Sequence, residues 1–134
     1  MEYLYHSTYQ ALVPNIMETG LKTSPLDNEG TDNWDMHDKY MRDFGCHPVF
    51  LAKDPDEAYE FAEVADHVSN ELYDSGIVVL EVNVAYLDPH LLMVDTFYND
   101  FEDHGINGIY DVDNERCRTV VYTEDIPPEA IRIL

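Results

Sequence analysis

Eight consecutive residues, Ile77 to Val84 (IVVLEVNV), place the first constraint on this chain. The run is β-branched and almost continuously apolar, the pattern of a strand buried on both faces. It is therefore expected to lie centrally in a sheet. A chain of 134 residues has room for one hydrophobic core of that kind. The expectation is a single domain over residues 1–134.

Charge narrows the partners. Asp and Glu outnumber Lys and Arg by 28 to 7, a formal charge of -21 at neutral pH. Self-repulsion on that scale costs stability and favours solubility. It also opposes DNA, RNA and anionic membranes, which need a basic footprint. Salt adaptation, a basic protein partner and mimicry of nucleic acid each account for the charge, and so does an acidic surface that is merely solvated. Ten tyrosines supply flat surfaces that can stack on a ligand. The two cysteines, Cys46 and Cys117, form no CxxC and are too few for a disulfide framework. The opening residues MEYLYHSTY lack the basic and apolar regions of a signal peptide. No apolar run has the length of a membrane span. The expected setting is a reducing cytoplasm, that of the host if the gene is viral, as in a phage.

Local signals order the elements. Glu2 to Thr8 alternates and is rich in Tyr, as in a strand. Leu12, Val13, Ile16 and Met17 form a helical stripe, with Pro14 near its first position and Gly20 as its stop. Lys22 to His47 has no clear period and is expected as a long loop, which Trp34, Met36, Tyr40 and Met41 either close over a pocket or anchor. Val49 to Lys53 is a strand. Asp54-Pro55-Asp56-Glu57 starts a helix, with Ala58, Phe61, Ala62, Ala65 and Leu72 on its core side. Leu87 to Val94 is apolar but broken by Asp88-Pro89. Asn99 to Glu115 is expected as a loop with a short strand at Gly108 to Val112. Thr119 to Thr123 and Ala130 to Leu134 are the last strands, separated by a turn at Pro127-Pro128.

Several segments in this order carry a family likeness. They are Tyr5-His6-Ser7-Thr8, Gly20-Leu21, Val49-Phe50-Leu51, Glu57-Ala58-Tyr59, Val78 to Val82, Phe97-Tyr98, and Val120 to Ile131 with its Ile126-Pro127-Pro128-Glu129. Together they resemble the ADP-ribosyltransferase superfamily along the whole chain, nearest in motif order to the RNA 2'-phosphotransferase branch. The resemblance implies an α+β domain with a split mixed or antiparallel sheet and two main helices. It implies NAD as substrate, with ADP-ribose passed to a protein or nucleic-acid acceptor, or NAD cleaved. His6 would hold the nicotinamide ribose, and Ser7 and Thr8 belong to the same motif. The small Ser7 would let backbone groups clamp the nicotinamide amide. Tyr59 is the candidate stacking ring, with Tyr9, Trp34, Tyr40 and Phe50 as rivals.

The family's catalytic Glu opens the penultimate strand, where this chain has Arg118 or Thr119. Glu115 lies just before that place and Glu124 at the strand's far end, so these are the candidate catalytic carboxylates. The phosphotransferase branch relies instead on several arginines and a basic N-terminal lobe. Here Cys46-His47-Pro48 stands where one of those arginines is expected, and the lobe is missing. With the negative charge, this argues against removal of a 2'-phosphate from RNA.

Arg116 and Arg118, two apart on an expected strand, would share a face. Arg118 either meets the pyrophosphate of NAD or pairs with Asp111 or Asp113. No metal site is expected: Cys46-His47 has no third ligand at metal spacing, and Asp27 to Asp35 lacks the ligand order of an EF-hand. The rival to an enzyme is a non-catalytic acidic binding module that occupies a basic partner or mimics nucleic acid.

Overall fold

The computed structural model describes residues 1–23, 34–64 and 69–134. Six strands are present among them: β1 (Tyr3–Tyr9), β2 (Val49–Ala52), β3 (Ile77–Asn83), β4 (Leu92–Val94), β5 (Thr119–Tyr122) and β6 (Ile131–Ile133). They form one sheet in the order β4-β5-β2-β1-β3-β6. Every pairing is antiparallel, so the sheet is antiparallel rather than mixed. The described helices are α1 (Val13–Thr19), α2 (Trp34–Phe44), α3 (Pro55–Glu63) and α4 (Asn70–Asp74), which makes the fold α+β. None is long and apolar enough to cross a membrane.

The IVVLEVNV run becomes β3. It pairs with β1 along its whole length, from Tyr3↔Asn83 to Tyr9↔Ile77, and with β6 on its other side. It is interior, one place from the sheet edge rather than at the centre. Leu4, Leu51, Leu80, Val82, Val94, Val120 and Ile126 are fully buried. Each such side chain contributes about 1.5–3 kcal/mol relative to exposure.

The join between β1 and β2 is much weaker than the other pairings. These strands meet at one residue pair, Tyr5↔Ala52. The sheet is therefore split into two halves, β4-β5-β2 and β1-β3-β6. Helix α3 packs against β1, β2 and β3. Its buried residues are Ala58 and Ala62, and side chains that small let the helix sit close. Tyr9 Oη donates to the Ala62 carbonyl at 2.8 Å. Asp54 caps α3 as its sequence requires, accepting from the Asp56 N–H at 2.8 Å.

Several expectations are corrected. The segment Lys22 to His47 is not all loop, because α2 occupies Trp34–Phe44. Tyr40 and Phe44, one turn apart, bring their rings to 6.3 Å, and Tyr40 packs on Phe50. The helix expected to reach Leu72 ends at Glu63, and α4 starts afresh with Ser69 as its cap. Ala65 falls outside the described residues. Gly108 to Val112 forms turns rather than a strand. There the Asp111 carboxylate accepts from the Asn107 N–H and from Asn114 Nδ2, so side chains take the place of strand partners. Arg116 and Arg118 precede β5 and share no strand face. The Asp27 to Asp35 segment, weighed as a calcium loop, lies largely outside the described residues.

Gly20 closes α1 where the chain meets Leu21↔Ile126, an isolated antiparallel bridge. Its φ is +87°, and a Cβ added there would sit 2.1 Å from the Ile126 carbonyl oxygen. Gly20→Ala meets both the positive φ and a backbone clash, so it should cost roughly 2–4 kcal/mol of stability. The measurement is urea unfolding. An unchanged midpoint would mean that the α1 terminus shifts freely away from Ile126.

Candidate functional site

The split in the sheet opens a cleft. His6, Ser7, Tyr9, Tyr40, Phe50, Phe61, Ala62, Val64 and Tyr98 line a cavity of about 290 Å³. A second cavity of about 310 Å³ adjoins it, sharing Phe61, Val64 and Tyr98 and adding Glu57, Glu60, Asn99, His104, Arg118 and Thr119. The first is apolar and aromatic; the second carries the charges.

His6 sits on β1 beside the split. Its Nδ1 lies 2.8 Å from the Phe50 carbonyl on β2. A carbonyl only accepts, so Nδ1 carries the proton and donates. Burial lowers the imidazole pKa, and the bond to Phe50 partly opposes that. The ring is thus neutral at pH 7, and Nε2 is left as a hydrogen-bond acceptor. The sequence suggests a ring that could donate or accept; the structure commits one nitrogen to each role.

The other expected residues divide sharply. Ser7 lines the first cleft beside His6. Thr8 is buried and is not part of either lining. Tyr59 is 42% exposed on α3 and lines neither cleft. Of its rivals, Tyr9, Tyr40 and Phe50 do line the first cleft, while the side chain of Trp34 lies outside what the structure describes. Glu115 is exposed in the turn before β5, and Glu124 is exposed beyond the far end of that strand; neither borders either of these two clefts. Thr119 opens β5, and its hydroxyl is bonded to Asn99 Nδ2 at 2.9 Å. Arg118 borders the second cleft, but its guanidinium is 2.5 Å from Glu57 rather than paired with Asp111 or Asp113. Cys46 and His47 face different neighbours: the thiol lies by the Thr123 carbonyl, and the imidazole meets the Tyr40 ring edge.

Two groups carry more of the site than their sequence context suggests. Phe61 reads as a core residue, yet its ring stands 4.9 Å from Tyr98, and the two rings form the ridge between the clefts. Asp95, just past β4, is fully buried. Its N–H donates to the Thr119 carbonyl, its own carbonyl accepts from Asn99, and Oδ1 accepts from the Phe97 N–H at 3.0 Å. Oδ2 has no hydrogen-bond partner among the described residues. These bonds shape the turn that presents Tyr98. An Asp directly after the apolar run Leu91 to Val94 is the one cue to it in the sequence.

No protein-family model matches the chain, and no curated protein matches it. A solved structure does. The chain named EcPltA superposes with a TM-score of 0.52 at 13% identity, over 97% of this chain and 72% of that one. At that identity the likeness speaks for the fold alone.

Burial pushes the Asp95 pKa up to about 6, against downward pulls from the Phe97 and Tyr98 N–H groups and from Lys39. The folded protein therefore holds this proton more tightly than the unfolded chain does. The associated stability is complete below about pH 4 and is lost as pH rises through about 6. Asp95→Asn keeps an oxygen for Phe97 and removes the charge. Above pH 6 the variant should be the more stable by roughly 2 kcal/mol, with the gap closing toward pH 4. Urea unfolding of both proteins across that range checks it; a gap independent of pH would rule out a buried ionisation at Asp95.

Proposed function

We propose that the chain is an NAD-binding protein of the ADP-ribosyltransferase-like kind, with the nicotinamide end of NAD in the first cleft. The observation that carries this reading is His6, held by Phe50 so that an acceptor nitrogen stands in an aromatic slot. A ribose hydroxyl donates to such a nitrogen. Ser7 beside it permits close backbone approach to a carboxamide, and Phe50, Phe61, Tyr40 and Tyr98 supply ring faces that exclude water. Arg118 is the cation available to the phosphates in the adjoining cleft. The paired sizes and chemistries of the clefts suit a ligand that is planar and aromatic at one end and anionic beyond it.

When NAD is bound, the chemistry it brings is a glycosidic bond whose cleavage releases neutral nicotinamide. ADP-ribose then passes to an acceptor, a protein or a nucleic acid, or to water. His6 would orient the ribose. Glu57 and Glu60 are the carboxylates among the described residues of the connected linings, and they replace Glu115 and Glu124 as candidates to stabilise charge on the sugar. The acidic surface favours a basic protein as acceptor over a nucleic acid.

One observation favours a second reading. The start of β5 carries Thr119 rather than a carboxylate, which suits a binding module that keeps the fold without the reaction. Such a module would bind a basic protein through its surface charge.

Thermal unfolding with NAD separates the two. At a hundredfold excess over Kd, NAD should stabilise the protein by about 2.7 kcal/mol. His6→Ala or Phe61→Ala should abolish most of that shift, while Tyr59→Ala should leave it intact. If neither NAD nor nicotinamide moves the parent's transition, the first reading falls. Salt-sensitive capture of a basic protein would then support the second.

A further inference from the structure

Arg118 is the one Lys or Arg among the lining residues of either cleft, and Glu57 already holds it at 2.5 Å. We propose that Glu57 is a built-in competitor for Arg118, so that the second cleft takes a phosphate group only as Glu57 lets the guanidinium go. Glu57 is in this view a specificity residue. It makes anion binding depend on a ligand that is also anchored in the first cleft. The inference rests on the reading of the two clefts as one dinucleotide site.

The geometry allows the exchange. The Arg118 side chain is 56% exposed and that of Glu57 29%, so water screens the pair and its net worth is small. Pyrophosphate offers a guanidinium stronger, bidentate, charge-assisted bonds. Glu57 also has support of its own. It lies in the first turn of α3, where the helix dipole favours a carboxylate whether or not Arg118 is present. The Arg118 backbone, by contrast, is pinned. Its carbonyl accepts from the Lys53 N–H at 3.0 Å, and its N–H donates to Asn99 Oδ1 at 3.4 Å. The exchange therefore needs only side-chain rotation.

Charge explains what the competitor selects against. Among the described residues of the second lining, Glu57, Glu60 and Arg118 give a formal charge of one negative, two carboxylates against one guanidinium. The whole chain carries -21. A free phosphate or a nucleic-acid backbone must overcome both the occupied guanidinium and that field. A ligand whose aromatic end is already seated beside His6 brings its phosphates to Arg118 at high effective concentration and displaces Glu57.

The test is calorimetric titration of inorganic pyrophosphate, NAD and nicotinamide, at low salt, into the parent, Glu57→Gln, and Glu57→Gln combined with Arg118→Gln. Glu57→Gln should bind pyrophosphate about five- to tenfold more tightly than the parent. The double variant should lose that gain, and raised salt should shrink it. Glu57→Ala should act in the same direction. Circular dichroism confirms that each variant is folded. Equal or weaker pyrophosphate binding by Glu57→Gln overturns the competitor, whatever NAD does. A pyrophosphate gain with no nicotinamide or NAD binding by any protein keeps the competitor and removes the NAD reading. NAD binding by both proteins, with no pyrophosphate gain in Glu57→Gln, removes the competitor and keeps the NAD reading.

Discussion

The bond from His6 Nδ1–H to the Phe50 carbonyl is the contact around which the site is arranged. Between β1 and β2 the backbone supplies one residue pair and then stops. A carbonyl left without a strand partner at such a place needs another donor, and an imidazole from the neighbouring strand provides it. The same bond does three things. It ties the two half-sheets together across the split, it fixes the tautomer, and it leaves Nε2 as the acceptor of a neutral ring. A histidine in a continuous ladder would do none of these, because no cleft would open beside it. The weak point in the sheet is thus also what makes the site.

The aromatic wall follows from the direction in which α3 faces. Residues advance by about 100° around a helix. Ala58 and Ala62 mark the buried line of α3, so Tyr59 and Phe61 stand on opposite flanks of it, each about 80° away. The split, and Tyr98 with it, lies on the Phe61 flank. Proximity in sequence to Glu57-Ala58 makes Tyr59 the natural candidate, but only the sheet decides which flank borders the cleft. Tyr98 depends in turn on Asp95, whose side chain and backbone together hold the turn from β4.

What the sequence made legible is the part governed by local rules. The β-branched run as a strand, the Asp54 cap and the Gly20 stop appear as their residues indicate. One failure arises because polar side chains can satisfy backbone groups in ways periodicity does not register. Asp111 and Asn114 do so between Asn107 and Arg116 and prevent a strand. Helix α2 was hidden for the converse reason: its charged residues mask a contact face made by Tyr40 and Phe44. In the candidate site, His6 and Ser7 were named from the family resemblance, and the cleft they line follows from the split between β1 and β2, which no local pattern registers. The partner of Arg118 was not legible, since Glu57 is distant in sequence and meets it only through the packing of α3 over the sheet.

The absence of a carboxylate at the start of β5 has a physical counterpart. Asn99 Nδ2 bonds both the Thr119 hydroxyl and the Thr119 carbonyl, and the Asp95 N–H takes that carbonyl too. A glutamate at position 119 would lose the Asn99–hydroxyl bond and bring a second negative charge toward a carboxylate that is already buried and already raised in pKa. Two such groups do not ionise together, so one would be held neutral. The chain therefore has room for one acid in this corner, and Asp95 occupies it from behind the wall rather than from within the cleft. On the proposed reading, any carboxylate that reaches the sugar must then come from the helix side. Glu60 is the one there whose charge is not already shared with Arg118 through a salt bridge. On that reading the reaction centre would be assembled between β1 and α3.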